Sequence, residues 1–230
     1  MITSHTIVKN EQRFIKPSLL SVIDHVDRFL VWDTGSTDAT VKEIKSINSN
    51  KIDFSQKGAA GRNGLVKLRN QQIAATKTPW ILLLDGDEVW PEKNLIQLIK
   101  AAENASINTL ALVNRTRNAI GDVYHYLPES SGRYRIGPWS GNLNIRAIKN
   151  LPGLKVIGSY PDEAYTINGR SIQDQPERLE FVDTWYLHLT HLKRSGWRHQ
   201  AKVVDRLKKF KWWGRREKLK PGELPEALST

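Results

Sequence analysis

The chain has 230 residues and contains no Cys, so it is long enough for one α/β-sized domain, and disulfides and thiolate metal sites are excluded. Its net charge of +11 is concentrated in residues 193–220, where twelve Lys or Arg accompany two acidic residues. A nearly neutral body with one basic arm favours surface docking, and no nucleic-acid partner is expected.

Strands and helices alternate through the first half of the chain. Short β-branched or apolar runs mark the strands, and apolar residues at i, i+3, i+4 spacing mark the helices. This alternation predicts an α/β fold with a mostly parallel sheet flanked by helices. The predicted elements, in order, are strand 6–9, helix 17–26, strand 29–32, helix 39–47, strand 51–54, helix 65–76, strand 80–84, a helix opened by Pro91, and strand 109–113.

Two of these strands end in polar loops. The loop 33–38, DTGSTD, presents N-cap side chains and backbone N–H groups at the edge where a parallel sheet binds ligands. The apolar run 80–84 leads directly into Asp85, Asp87 and Glu88. Crowded carboxylates repel one another unless a cation lies among them, and an all-oxygen cluster suits Mg²⁺ or Mn²⁺, which share their ligands with substrate phosphates. The alternative is an acidic β-turn after a core strand.

The rest of the chain has a different character. Residues 114–190 are rich in Gly, Pro, Tyr and Trp, with short alternating runs such as 133–136 and 179–186. They predict antiparallel strands and long loops added to the sheet edge. Glycines within 58–64 predict a flexible connection before the third helix, and a basic helix is predicted at 195–209.

A family resemblance rests on TIVKNE (6–11), VWDTGSTDAT (31–40), LRNQQIA (68–74), WILLLDGDEVWP (80–91) and, more loosely, residues 146–163. With these segments the chain resembles the family 2 glycosyltransferases, inverting enzymes of the GT-A fold that use nucleotide-sugar donors. The most specific part is DTGSTD with DGDE downstream. The resemblance implies one GT-A domain at 1–192, with a nucleotide-sugar-binding half at 1–115 and an acceptor-side half at 116–192, followed by a basic helix and tail at 193–230.

The resemblance implies a site for a nucleotide-sugar donor, with a UDP-sugar as the expected ligand. Asp33 would lie near the nucleobase, Asp85 would contact the ribose or sugar, and Glu11 and Arg69 would lie on the donor side. Many relatives carry a second Asp where this chain has Thr34, which leaves the nucleotide open. The alternative for Arg69 is a hydrated helix-surface side chain.

The resemblance also implies a divalent cofactor, Mn²⁺ or Mg²⁺, held by Asp87 and Asp85 against the donor diphosphate. His188 and His191 follow a strand-like run. In related enzymes a His in this region completes the metal shell, so either is a candidate ligand. A His-x-x-His pair that lacks the Glu of a zinc protease is also typical of packing or surface positions.

Displacement at the anomeric carbon needs a base within about 3 Å of the acceptor hydroxyl. The candidates are Glu163 and Asp162, where many relatives have His-Glu, and Glu163 is preferred because Glu occupies the matching place. The alternative is two acids on a turn. Trp139 and Tyr160 either stack on an acceptor sugar or fill the added sheet, and core packing is favoured for Tyr160.

Residues 194–216 interleave Trp and Phe with Lys and Arg, a composition suited to an anionic membrane surface. No apolar run approaches about 18 residues, and the first residues do not resemble a signal peptide. We therefore expect a cytoplasmic protein that docks on the inner face of the membrane and glycosylates a saccharide or lipid-linked acceptor of the cell envelope. The alternative is a terminal helix that packs on the domain.

Two other functions compete with sugar transfer. DGDEV satisfies the Asp-x-Asp-x-Val motif of haloacid-dehalogenase-like phosphatases, in which the first Asp is a nucleophile. That motif usually lies near the N-terminus, whereas here it begins at Asp85. A non-catalytic membrane or nucleic-acid adaptor would use the basic tail, but such a protein has no need for the costly acids Asp85 and Asp87.

Overall fold

The computed structural model describes residues 1–193 and 214–229. The helices are α1 (Ile15–Leu20), α2 (Thr40–Ser46), α3 (Arg62–Ala75) and α4 (Glu92–Asn104), with 3₁₀ turns at Glu129–Ser131, Ile172–Asp174, Pro176–Arg178 and Glu226–Leu228. The strands are β1 (Ile2–Val8), β2 (Arg28–Asp33), β3 (Ile52–Gln56), β4 (Trp80–Leu83), β5 (Glu88–Val89), β6 (Ala111–Asn118), β7 (His125–Tyr126), β8 (Tyr134–Ile136), β9 (Trp139–Gly141), β10 (Leu143–Lys149), β11 (Leu154–Ile157), β12 (Ala164–Ile167), β13 (Arg170–Ser171), β14 (Leu179–His188) and β15 (Glu217–Lys218).

Eight strands form one sheet in the order β3-β2-β1-β4-β10-β6-β14-β5. Strands β1 to β4 pair in parallel, and β14 runs parallel to β6, so the predicted mostly parallel α/β sheet is confirmed. Strand β10 runs antiparallel to β4 and β6 and lies between them, whereas the sequence predicts antiparallel strands at the sheet edge. Ala147 and Ile148 of β10 are buried in the clusters on opposite faces, as expected of an interior strand.

Both faces of the sheet are covered. Leu82 belongs to the apolar cluster that contains residues of α1 and α4, whereas Ile81 and Leu83 belong to the cluster on the other face, with residues of β11 and β12. Successive side chains of a strand point to opposite faces, so a strand covered on both sides needs apolar residues at every position. This requirement explains the unbroken apolar run before the acidic loop.

Helix α1 is shorter than predicted. It begins at Ile15, so Pro17 is its third residue and not its first, which is tolerated because N–H groups of the first turn have no helical partner. Beyond Leu20 the chain continues in tighter turns, in which the Val22 N–H donates to the Leu19 carbonyl (3.3 Å). Val22 is fully buried, so the apolar pattern predicted burial correctly but placed the helix end too late.

One side chain of α3 holds the hairpin formed by β11 and β12. Asn70 Nδ2 donates to the Val156 carbonyl (2.8 Å), and Asn70 Oδ1 accepts from the Val156 N–H (2.9 Å). Strand β11 is the edge of a three-stranded sheet, so this amide satisfies backbone groups that have no neighbouring strand.

Gly64 lies within α3. The flexible connection predicted at 58–64 is therefore confined to the residues before Arg62.

Asn70→Ala is expected to lower the free energy of unfolding by about 1–3 kcal/mol, because it leaves two backbone groups of the buried Val156 without partners. Asn104→Ala on α4 is the matched control, since its exposed amide bonds only to the Lys100 carbonyl; we expect a change within about 0.5 kcal/mol. Denaturant unfolding of both variants measures the difference. Equal losses would show that the Asn70 contacts contribute no specific stability.

Residues 214–229 pack against the rest of the domain. Leu219 is buried in a cluster with Phe14. Arg117 Nη1 donates to Glu223 Oε2 (2.9 Å), and β15 pairs with β7. This end of the chain therefore belongs to the folded body, although the sequence predicts a tail there.

The basic helix predicted at 195–209 and most of the basic arm predicted at 194–216 lie outside the described residues. Across the two described ranges, no helix combines the length and the apolar character that crossing a bilayer requires.

Candidate active site

Two loops meet at the end of β1. The Val8 carbonyl accepts hydrogen bonds from the N–H (2.9 Å) and the hydroxyl (3.1 Å) of Thr34, which begins the loop after β2. On the other side, a Cβ added to Gly86 would lie 3.1 Å from Val8 Cγ2 and 3.3 Å from the Cγ of the buried Glu11. The two loops therefore lie side by side at the carboxyl edge of the sheet, where α/β folds bind ligands, and the predicted donor-side residue Glu11 lies beside them. We refer to the region between the two loops as the cleft.

The Asp33 carboxylate holds the loop after β2 in place. Its Oδ2 accepts hydrogen bonds from the N–H groups of Gly35 (3.0 Å) and Ser36 (3.1 Å), and the residue is fully buried. Gly35 has a φ of +85°, a conformation that favours glycine. Thr34 uses its hydroxyl for the bond to β1. Asp33 thus shapes the loop, and its contact with a nucleobase remains a prediction.

The three carboxylates after β4 lie at different depths. The side chain of Asp85 is 44% exposed, that of Asp87 6% and that of Glu88 0%. The Ser18 hydroxyl donates to the Asp85 carbonyl (3.0 Å), and the Asp85 N–H donates to Glu88 Oε2 (3.2 Å). Glu88 therefore supports the turn from its buried side, while Asp85 remains accessible to a ligand.

Arg146 connects these acids to β14. Its Nη2 donates to Asp85 Oδ2 (2.9 Å) and to Glu88 Oε1, and its Nε donates to the Tyr186 hydroxyl oxygen (3.2 Å). Asn144 Nδ2 donates to the same oxygen (2.6 Å). The sequence does not predict these contacts. Arg146 only begins the loosely matching segment, and no local signal places β10 beside β4.

The charges in the cleft determine how its acids ionise. Burial raises the pKa of Glu88 to about 7, although Arg146 acts in the opposite direction. Burial acts on Asp85 as well, but the guanidinium groups of Arg146 and Arg69 outweigh it and hold the pKa of Asp85 below its usual value. Asp85 is therefore ionised at neutral pH.

Asp87 and His188 form a pair whose geometry fits a metal site. Asp87 Oδ2 lies 3.3 Å from His188 Nε2, and adjacent ligands of an octahedral ion with bonds of about 2.1 Å are about 3 Å apart. Burial alone would lower the pKa of His188, but Asp87 outweighs it and the pKa is raised. The roles of Asp87, Asp85, His188 and His191 as metal ligands remain predictions.

The side chains of the protein do not by themselves complete a metal shell in the part of the chain that is described. Within residues 1–193 and 214–229, no group of three or more His, Asp or Glu side chains is arranged to hold an ion. A hard divalent ion commonly takes one or two carboxylates and completes its shell with substrate phosphates and water. The Asp87–His188 pair is compatible with that mode of binding.

The other wall of the cleft carries the candidate bases. Arg69 Nε donates to Glu163 Oε1 (3.1 Å), and the two side chains are 19% and 11% exposed. Arg69 is therefore not a hydrated surface side chain. Asp162 is exposed. The structure brings Glu163 to the cleft, and the roles of both acids as a base remain predictions.

The two aromatic candidates differ in their surroundings. The Trp139 ring stacks on Phe181 with centroids 5.6 Å apart, so it fills the added sheet. Tyr160 is 46% exposed, and the core packing favoured for it is wrong. It lies on the turn between β11 and β12, before a cis bond to Pro161, where no layer covers it.

Gly86→Ala is expected to displace the acidic loop. The new Cβ would lie 3.1 Å from Val8 Cγ2 and 3.3 Å from Ile15 Cδ1. Overpacking of this kind costs about 1–3 kcal/mol, so the melting temperature should fall by several degrees. Gly61→Ala is the matched control, because nothing lies within 4 Å of a Cβ at that position. If both variants melt at the same temperature, the loop tolerates the added methyl group.

A mostly parallel sheet that carries two polar loops at its carboxyl edge has the architecture of the GT-A fold. The crystal structure of S. aureus TarS 1-349 in complex with UDP-GlcNAc has a TM-score of 0.59 at 15% identity, over 87% of this chain and 60% of that one. Mycobacterium tuberculosis glucosyl-3-phosphoglycerate synthase, crystallised with Mn²⁺, UDP-glucose and phosphoglyceric acid, has a TM-score of 0.51 at 16% identity, over 82% of this chain and 71% of that one. At these identities the likeness shows the fold.

The sequence shows the family. The model of glycosyl transferase family 2 matches residues 5–155, and the chain belongs to this family. The SPbeta prophage-derived glycosyltransferase SunS of Bacillus subtilis (strain 168) is 34% identical over 101 residues, which are 44% of this chain and 23% of that protein. A TPR repeat-containing protein of Synechococcus elongatus is 37% identical over 84 residues, 36% of this chain and 19% of that protein.

The chain thus spans about a quarter or less of the length of these curated relatives. The family match includes the DGDEV stretch at 85–89, so the phosphatase alternative loses its basis. Membership of a transferase family, together with the ionised Asp85 in the cleft, also opposes a non-catalytic adaptor.

Proposed function

We propose that this chain transfers a sugar from a UDP-sugar to an acceptor hydroxyl, assisted by Mn²⁺ or Mg²⁺ and with inversion at the anomeric carbon. The observation that carries the proposal is the pair of Asp87 and His188 beside the ionised Asp85, in the cleft shared with the loop after β2. The UDP-sugars bound by TarS and by the mycobacterial synthase, the latter with Mn²⁺, support a donor of the same kind.

Each residue of the cleft has a proposed part in binding the donor. Asp87 and His188 would hold the ion, which when bound supplies positive charge against the leaving diphosphate. Asp85, oriented by Arg146 (2.9 Å), would accept a hydrogen bond from a hydroxyl of the ribose or sugar. The loop that begins at Asp33 would face the nucleobase.

The proposed reaction is a single displacement. The acceptor oxygen forms a bond to the anomeric carbon while the bond from that carbon to the diphosphate oxygen breaks, and the nucleoside diphosphate leaves with the electron pair. Glu163 takes the proton of the acceptor hydroxyl. Attack from the side opposite the leaving group inverts the anomeric configuration. Glu163 is preferred to the exposed Asp162 because Glu163 is largely buried in the wall of the cleft.

Calorimetry with UDP, GDP and their hexose conjugates, each with and without Mn²⁺, tests the proposal. We expect uridine nucleotides to bind in the presence of the ion and to lose most of their affinity in its absence. Incubation with candidate saccharide acceptors should then release UDP. Failure of every nucleotide to bind, or hydrolysis of simple phosphomonoesters by the purified chain, would contradict the proposal.

We also propose that the acceptor is a saccharide or lipid-linked molecule of the cell envelope and that residues 194–216 dock on the inner face of the membrane. The cations and aromatic residues of this stretch support the proposal, since each cation near an anionic surface contributes about 1 kcal/mol. Flotation with vesicles containing anionic lipid at low salt should carry the protein upwards, and neutral vesicles should not. Equal behaviour with both vesicles would contradict membrane docking.

A further inference from the structure

Arg69 lies between the donor side and the acceptor side of the cleft. Its Nε donates to Glu163 Oε1 (3.1 Å). Burial would lower the pKa of Arg69, but its interactions with Tyr165, Asp85 and Glu163 outweigh burial and raise it. One permanently charged guanidinium, 19% exposed, therefore donates a hydrogen bond to the acid that would serve as the base and interacts electrostatically with the acid that would contact the donor.

The position of the hairpin that carries Glu163 does not depend on this ion pair alone. The neighbouring Asn70 joins α3 to Val156 by two hydrogen bonds of 2.8 and 2.9 Å. The helix thus holds the hairpin at one point through two neutral hydrogen bonds and contacts it at a second point through the ion pair. The Arg69–Glu163 bond can therefore break while the hairpin stays attached to α3.

In the observed pairing, one oxygen of the Glu163 carboxylate accepts a hydrogen bond from Arg69. A carboxylate that accepts a hydrogen bond from a guanidinium loses that interaction when it takes a proton from an acceptor hydroxyl. Glu163 occupies the Nε donor of Arg69, which is one of five donors on the guanidinium. A diphosphate carries more charge than a carboxylate and also matches the guanidinium fork, so it competes strongly for Arg69.

We propose that Arg69 is a positioning residue that couples donor binding to release of the base. Before the donor binds, Arg69 holds Glu163. When a nucleoside diphosphate enters the cleft, Arg69 turns to the phosphate oxygens, and Glu163 becomes available to the acceptor hydroxyl. This inference rests on the proposed function, and it implies that the donor binds before an acceptor can react.

Competition for one guanidinium can be measured without any turnover. Glu163→Gln removes the charge that competes with the diphosphate, so we expect it to bind UDP with Mn²⁺ about threefold or more tightly than the unaltered protein does. Asp162→Asn is the matched control, because it removes the same charge one residue away on an exposed side chain; its affinity for UDP should stay within about twofold.

Variants of Arg69 complete the double-mutant cycle. Arg69→Gln should weaken UDP binding by about tenfold, and Arg69→Lys should recover part of this loss by retaining the charge. Combining Arg69→Gln with Glu163→Gln should give the affinity of Arg69→Gln alone, because no guanidinium remains to be released. A role of Arg69 in folding alone would not make the effect of Glu163→Gln depend on Arg69.

The outcomes separate this inference from the proposed function. If the unaltered chain binds UDP with Mn²⁺ but Glu163→Gln does not bind it more tightly, the coupling is overturned and the transferase proposal stands. Equal tightening by Asp162→Asn would overturn the coupling too, because it would reveal a general effect of charge. An unaltered chain that does not bind UDP would overturn both. Should Glu163→Gln fail to unfold cooperatively, Glu163→Ser replaces it with the same expected tightening.

Discussion

Asp87→Asn is expected to abolish metal-dependent UDP binding and to lower kcat for sugar transfer by about 10³-fold or more. The Asp87 side chain is 6% exposed and lies 3.3 Å from His188, so an amide would remove the carboxylate that is proposed to hold the ion. A metal ion contributes several kcal/mol to a developing anion, and about 4 kcal/mol corresponds to a thousandfold change in rate. Calorimetry with Mn²⁺ and an assay of released UDP measure the two effects.

Asp24→Asn provides the control for Asp87→Asn. It makes the same chemical change at an exposed position on the turn after α1, and UDP affinity and rate should both be retained. If Asp87→Asn still binds UDP more tightly with Mn²⁺ than without it, the ion is held elsewhere and the assignment of Asp87 is wrong.

Arg146→Met is expected to lower the free energy of unfolding by about 3–5 kcal/mol, because it leaves a fully buried carboxylate without its counter-ion. Glu88 has no exposed side-chain surface, and Arg146 is 12% exposed. The variant would also leave the Tyr186 hydroxyl without one of its donors. Denaturant unfolding monitored by circular dichroism measures the loss.

The loss in Arg146→Met should depend on pH. The pKa of Glu88 is already raised to about 7 in the folded protein by burial, and Arg146 is the main group that lowers it. For an acid whose pKa is higher in the folded state, the folded protein binds the extra proton, so stability falls as pH rises above about 4.5. Removing Arg146 strengthens this effect. The loss of unfolding free energy in Arg146→Met should therefore be smaller at pH 5 than at pH 8.

Two further variants test the origin of this loss. Adding Glu88→Gln to Arg146→Met removes the buried charge, so the double variant should be more stable than Arg146→Met alone at pH 8. Arg28→Met breaks an ion pair with Asp53 in which both side chains are more than 40% exposed, and it should cost less than about 1 kcal/mol. Similar losses in Arg28→Met and Arg146→Met would contradict the buried ion pair.

The sequence predicts the features of this protein that depend on neighbouring residues. The alternation of strands and helices follows from local periodicity, and the loop at Asp85 follows from an apolar run that turns abruptly acidic. The same local signals place the loop at Asp33 after a strand. Because parallel strands end at one edge of a sheet, the two loops can be expected to lie near each other.

The contacts that complete the site join residues far apart in the chain. Arg146 and Asp85 are 61 residues apart, and Arg69 and Glu163 are 94 residues apart. Local periodicity carries no information about such pairs, because it cannot tell which strand lies beside β4. The acidic motif identifies Asp85 and Asp87 as candidates, whereas the partners that orient and neutralise these acids lie in segments with no comparable signal. The exposure of Tyr160 could not be predicted for the same reason, because the local sequence does not show whether another layer covers the turn between β11 and β12.

The interior position of β10 has a consequence for the synthesis of this protein. Strands β4 and β6 both leave the ribosome before β10, which must insert between them. Until Lys149 emerges, the nascent sheet has two open edges rich in apolar side chains, a condition that favours aggregation and slows folding through distant pairings. A fragment that stops at residue 115 would keep that gap permanently, so residues 1–115, the predicted nucleotide-sugar-binding half, should not be obtainable as a separate, soluble fragment.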